Sequence, residues 1–236
     1  MTPLTDCLLC LSLCVAIPAL ADPDFSVSTF DSGTDGWEPD NPWTTSDVNG
    51  ITSGNNYLAM DVGAALGNRG SKMTTFNPTA AWTGDYQSAG VTGIRMNIAN
   101  WSSTDTLDLR IALGNESSPQ ATTGTWWLSS SSIQIAPNTS WFEVFIPLSA
   151  GDMTKVSNLI GVFGNDTYQD TLGNIQSIRI LSSALPIAAV GDNFVGLVGI
   201  DSVRLVPESS QFSLIAAIGG LTLAMRRRQR PEKNKT

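Results

Sequence analysis

The sequence predicts an all-β domain, a jelly-roll β-sandwich, and three observations carry that reading. Apolar residues recur with a period of two in several short runs, the pattern of a strand with one buried face. Glycine (21 residues) and abundant Ser, Thr and Asn bound those runs as turns, while only 14% of residues are charged and the helix formers Glu and Lys are sparse. No helical pattern of ten residues appears in the body of the chain.

Taken in order, the 236-residue chain opens on an apolar run, Leu8 to Leu20, that ends in Ala19-Leu20-Ala21. This is the small-x-small signature of a cleaved signal peptide over residues 1–21, with the mature protein starting at Asp22. The leader has Asp6 and no Lys or Arg before its apolar core, and Leu13 rather than a small residue precedes Cys14, which excludes a lipoprotein signal. Cys7, Cys10 and Cys14 all lie in this leader. The mature domain is therefore expected to hold no disulfide and to depend on its core alone.

The predicted domain, 22–205, is roughly 185 residues, enough for one full hydrophobic core. Ile94, Met96 and Ile98 alternate with Arg95, Asn97 and Ala99, and Leu107, Leu109, Ile111 and Leu113 alternate with Asp108, Arg110 and Ala112. Further strands are expected at Phe25–Phe30, Tyr57–Val62, Trp126–Ile135, Trp141–Leu148, Ile175–Leu181 and Leu197–Leu205. Eight or more antiparallel strands in two packed sheets satisfy this pattern.

The third segment is 206–236. Residues 210–225 are expected to form a short transmembrane helix, whose uncharged core, Phe212 to Met225, spans about 21 Å, short of a hydrocarbon core of roughly 30 Å. Arg226, Arg227 and Arg228 follow as a stop-transfer cluster. The positive-inside rule then puts the basic tail, 226–236, in the cytoplasm and the domain outside.

Composition excludes several functions. The domain carries 18 acidic and 7 basic residues, the wrong balance for nucleic acid. The chain has no histidine, which removes Ser-His-Asp and Cys-His catalysis and His-ligated zinc. No phosphate loop or dinucleotide fingerprint is present. A glycosidase built on two carboxylates is the remaining enzymatic alternative, with Asp61, Asp85, Glu116 and Glu143 as candidates and no spacing that pairs any two of them.

Aromatic residues supply the candidate ligand platform. Trp37 and Trp141 are expected in the core. Adjacent Trp126 and Trp127 must face opposite sides of a regular strand, so one is expected to be exposed or to lie under a loop. Trp43, Trp82 and Tyr86 sit in turn-rich segments. All five of these latter residues are candidates for stacking on a sugar ring.

Two resemblances extend this reading. Val206-Pro207-Glu208-Ser209, an apolar helix and an arginine cluster together resemble the PEP-CTERM sorting signal, with Ser209 where that family typically has a second proline. The resemblance implies an exosortase partner, passage through the inner membrane, and release to the surface or matrix of a Gram-negative bacterium that makes exopolysaccharide. Phe30-Asp31-Ser32-Gly33-Thr34-Asp35-Gly36-Trp37, Tyr57-Leu58-Ala59-Met60-Asp61, Trp82-Thr83-Gly84-Asp85-Tyr86 and Gly199-Ile200-Asp201-Ser202-Val203 resemble laminin B (laminin IV) type and galactose-binding-like carbohydrate-binding jelly rolls. That likeness implies a non-catalytic binding role with polysaccharide as the ligand class, and a structural calcium held by Asp31 or Asp35 with Asp201. A structural matrix protein without a small ligand is the rival reading.

Overall fold

A computed structural model describes residues 23–39, 47–52, 55–62, 72–117, 124–158 and 161–208. In chain order its strands are β1 (Val27–Ser28), β2 (Glu38–Pro39), β3 (Asp47–Thr52), β4 (Asn55–Val62), β5 (Thr74–Asn77), β6 (Val91–Asn100), β7 (Leu107–Gly114), β8 (Trp126–Ser129), β9 (Ile133–Ile135), β10 (Thr139–Pro147), β11 (Met153–Val156), β12 (Ser177–Ser182) and β13 (Gly196–Pro207). Helix α1 (Tyr168–Leu172) lies between β11 and β12, and a capping box of Thr167 and Asp170 starts it.

The strands form two antiparallel sheets. The six-stranded sheet runs β10-β6-β13-β4-β3, with β1 also on β13, and the seven-stranded sheet runs β11-β8-β7-β12-β5-β2, with β9 also on β7. Ser202, at φ 53°, marks a bulge in β13. Before it β13 pairs with β4 through Gly196–Ile200, and beyond it Val203 and Arg204 pair with β1. One extra residue thus lets a single strand serve two neighbours on the same side.

The core lies where the alternation puts it. Ile94, Met96 and Ile98 from β6 meet Leu107, Leu109, Ile111 and Leu113 from β7, and all are fully buried. Trp37 joins them as expected; its indole Nε1 donates to Ser28 Oγ at 3.1 Å, which satisfies the one polar atom it buries.

Several predicted boundaries shift for local reasons. Phe25–Phe30 contracts to the two residues of β1, because Phe30 turns the chain at φ 60°. The run Trp126–Ile135 is two strands, broken between Ser129 and Ile133: both pair with β7, and β8 pairs on its other side with β11. The last strand continues through Val206 and Pro207, and the Glu208 N–H donates to Gly90 O at 2.7 Å. The leader 1–21, Trp43, Ser209, the stretch 210–225 and Arg226, Arg227 and Arg228 lie outside the described residues. Among the described residues no helix is long and apolar enough to cross a membrane.

Candidate functional site

Among the described residues, only one of the two outer sheet faces is left open. On the seven-stranded sheet, Arg110 and Arg179 point outward from β7 and β12, yet both are buried. Arg110 donates from Nε to Ser183 O at 2.7 Å, from Nη2 to Ala184 O at 2.9 Å, and from Nη1 to Ser129 O. Burial draws its pKa down, against the raising influence of Asp108 and Asp192. Arg179 donates from Nη1 to Ala189 O and lies 4.2 Å from the ring centre of Trp126. The segment after β12 is thereby held across this face. Beneath it Ala112, Trp126, Leu128, Val156, Leu181 and Ala189 form a second apolar cluster.

The described residues leave the outer face of the six-stranded sheet uncovered, and three aromatic rings stand on it. Tyr57 leaves β4, Trp141 leaves β10, and Trp101 follows directly on β6, its backbone N–H held by Leu197 O at 2.8 Å. Each ring meets the other two edge-to-face, with all three centroid separations at 5.3 Å. Trp101 and Trp141 are half-buried, while Tyr57 is 9% exposed. The floor beneath is made of small residues: Gly199 in β13 pairs with Ala99 in β6 and with Ala59 in β4. A Cβ on Gly199 would stand 2.6 Å from Cη2 of Trp141 and 2.7 Å from Cη2 of Trp101. The indoles therefore rest directly on the strand backbone, as a glycine inside a strand often permits.

Beyond the rings the same face turns polar. Glu143 on β10 pairs with Asn97 on β6, which pairs in turn with Asp201 on β13. One step further along, Phe145, Arg95 and Arg204 share a row. Glu143 accepts from Arg95 Nη1 at 2.7 Å and from Arg204 Nη2 at 2.8 Å. The bond from Arg95 foremost holds the Glu143 carboxyl below its ordinary pKa. The Arg95 guanidinium also lies 5.3 Å from the ring centre of Phe145, which is 40% exposed.

Four of the sequence-derived stacking candidates lie among the described residues, and they sit elsewhere. Trp82 and Tyr86 are interior: Trp82 packs edge-on against Trp37 at 5.1 Å, and the Tyr86 hydroxyl donates to Trp82 O at 2.7 Å. Trp126 and Trp127 do face opposite sides of β8. Trp126 is fully buried under the covering segment, and half-buried Trp127 packs inward against the core and Tyr168. Trp126 therefore offers no free ring face, and the Lys155 ammonium stands 5.9 Å from the ring centre of Trp127. Trp141, expected in the core, stands on the open face instead. Tyr57 and Trp101 are not among the stacking candidates the sequence offers.

The acids expected to hold calcium are engaged locally. Asp31 Oδ2 accepts from Thr29 Oγ1 at 2.9 Å, Asp35 Oδ2 from the Phe30 N–H at 2.8 Å, and Asp201 Oδ1 from the Ser202 N–H at 2.6 Å. Among the described residues no three Asp or Glu side chains gather into a group that could hold an ion. Of the carboxylates weighed for a glycosidase, Asp85 caps its own turn through Ser88, and Glu116 accepts from the Gly124 N–H. Asp61 and Glu143 leave different strands of the open face.

No family model matches this chain, and no curated protein does. Among solved structures, the chain is similar to the solution structure of CtCBM11, at a TM-score of 0.48 and 20% identity over 77% of this chain and 94% of that one. It is also similar to the family 11 carbohydrate-binding module of the cellulosomal cellulase Lic26A-Cel5E of Clostridium thermocellum (TM-score 0.43, 14% identity, 80% and 97% covered). A third likeness is to CBM28, a non-crystalline cellulose specific carbohydrate-binding module (TM-score 0.36, 15% identity, 80% and 99% covered).

Proposed function

We propose that this chain is an exported, non-catalytic polysaccharide-binding protein whose ligand lies on the outer face of the six-stranded sheet. The observation that carries the reading is the trio Tyr57, Trp101 and Trp141 on the uncovered face, set beside hydrogen-bonding groups, while the opposite face is sealed. Aromatic rings give a pyranose an apolar surface for its C–H face, and nearby polar side chains fix its hydroxyls; few, well-placed polar groups beside apolar lining are the usual make-up of a ligand site. The bonds from Arg95 and Arg204 hold Glu143 ionised, which unsuits that residue for the general acid a glycosidase needs.

The test is retention of the exported protein in polysaccharide affinity gels. Trp141→Ala should weaken binding by about 2 kcal/mol, close to thirtyfold, the scale of an aromatic hot spot. Unaltered retention on every polysaccharide that holds the parent would refute the platform and favour the structural matrix role.

Export, membrane passage and release by an exosortase complete the proposal and rest on the two ends of the sequence. Secreted protein should begin at Asp22 and lack the arginine-rich tail. Replacing Pro207 and Glu208 should leave the full-length form in the inner membrane. Because Pro207 ends β13, an unchanged melting curve must accompany that result. Mature protein that retains Met1, or tail removal untouched by the substitutions, would overturn this part.

A further inference from the structure

We infer that the polymer bound on this face is uncharged, and that Glu143, clamped between Arg95 and Arg204, is the residue that fixes its hydroxyls. This rests on the carbohydrate reading above and narrows its ligand class. The argument begins with the available cations. Among the described residues of the domain, Arg110 and Arg179 are buried under the covering segment. Lys72 donates to Gly191 O at 2.7 Å and Lys155 to Asp166 O at 2.9 Å. Arg95 and Arg204 are the bases on the open face, and both already carry Glu143. Asp61 and Asp201 leave the same face, so its acids outnumber its bases. A polyanion needs a net positive surface, and among the described residues this face sets two bases, Arg95 and Arg204, against three acids, Glu143, Asp61 and Asp201.

The hydrogen-bond inventory of the clamp suits a neutral sugar. Each guanidinium has five N–H donors, and the carboxylate has about four acceptor positions. Arg95 uses Nη1 and Arg204 uses Nη2 on Glu143, which leaves further donors on both arginines and further acceptor capacity on both carboxylate oxygens. Donors and acceptors therefore stand side by side. That is what neighbouring hydroxyls need, since each both donates and accepts. A uronate brings acceptors and a negative charge, and would compete with Glu143 for the same guanidinium groups. Along β6 the Arg95 row lies four residues from Ala99 under the indoles, about 13 Å at the rise of a strand. A chain of several sugar units reaches both ends of the face; a single ring does not.

The experiment compares the exported protein and two variants on affinity gels of neutral polymers (cellulose derivatives, β-glucan, xylan, mannan) and uronate polymers (alginate, polygalacturonate), at low and high salt. Retention on at least one neutral polymer, changing less than about twofold with salt, is expected, with none on the uronates. Glu143→Gln should lower that retention about tenfold while the melting transition stays cooperative and shifts down only slightly for the lost ion pairs, and Trp141→Ala should lower it further. Stronger retention on a uronate polymer that falls with salt would overturn the inference, and so would full retention by Glu143→Gln. If that uronate binding is still lost in Trp141→Ala, the carbohydrate face survives and only its ligand class is wrong. Retention on no polymer would overturn both.

Discussion

Gly199→Ala perturbs the aromatic trio from below without deleting a ring. The added methyl would lie 2.6 and 2.7 Å from the outer carbons of Trp141 and Trp101 and 2.8 Å from Cζ2 of Trp141, well inside van der Waals contact. Both indoles are half-exposed, so they can recede into solvent rather than force β13 apart. Overpacking costs about 1–3 kcal/mol; relief at the surface puts this case at the low end. Alanine also recovers roughly 0.5–1 kcal/mol relative to glycine inside a strand. The net loss of stability should be about 1 kcal/mol or less, read as a small shift of the urea midpoint. Binding is the larger effect, because displaced rings no longer share one surface. Retention on a neutral polysaccharide gel should fall about tenfold, ~1.4 kcal/mol. A shifted midpoint with unaltered retention would refute the reasoning, since the rings would have moved without consequence for the ligand.

Four further outcomes follow from the same structure. Trp126→Ala should destabilise by about 3–5 kcal/mol through lost burial and a cavity, with glycan retention per folded molecule unchanged; weakened retention would return this residue to the platform. Arg110→Met strips the donor from Ser129, Ser183 and Ala184 carbonyls and should cost about 3 kcal/mol or more, seen as a lowered urea midpoint, whereas a neutral result would mean the covering segment needs no arginine. Glu143, Asp166 and Asp170 all have lowered pKa values. Each therefore adds stability above its unfolded pKa and loses it as pH falls through the folded value, so urea midpoints should be flat near neutrality and drop below about pH 4; a midpoint rising toward acid would contradict those bonds. If Asp31 or Asp35 holds calcium with Asp201, EDTA should lower the melting temperature and added calcium restore it; coincident curves would leave these acids as the turn residues their bonds to Thr29, Phe30 and Ser202 describe.

The sandwich was legible because burial on one side imposes parity. In β6 and β7 every second residue is apolar, so register and facing follow from the sequence alone. Parity also carried the site. Val144, Ile146 and Leu148 turn inward, so Trp141 belongs with Glu143 and Phe145 on the outside. Trp101 continues the series Arg95, Asn97, Ala99, and Tyr57 that of Ala59 and Asp61. The expectation that large aromatics go inside hid this signal. What parity cannot reveal is a covering layer. Trp126 does face away from the core, but a segment some sixty residues later closes over it, anchored by two arginines whose burial no local pattern announces. Turn-rich sequence around Trp82 and Tyr86 likewise says nothing of exposure. There the turn itself is folded onto the core, its backbone fixed by Tyr86 N–H to Leu172 O at 2.9 Å.

Trp101 and Trp141, rather than Trp37, Trp82 and Trp126, are the tryptophans proposed to meet the sugar. Their indole N–H resonances can be followed by two-dimensional nitrogen–proton NMR while a neutral oligosaccharide is titrated in, with each peak assigned by single Trp→Phe substitution. The account predicts saturable shifts for Trp101 and Trp141, with Trp37, Trp82 and Trp126 unmoved. Shifts confined to the buried tryptophans, or to Trp127, with Trp101 and Trp141 silent at saturation, would contradict it.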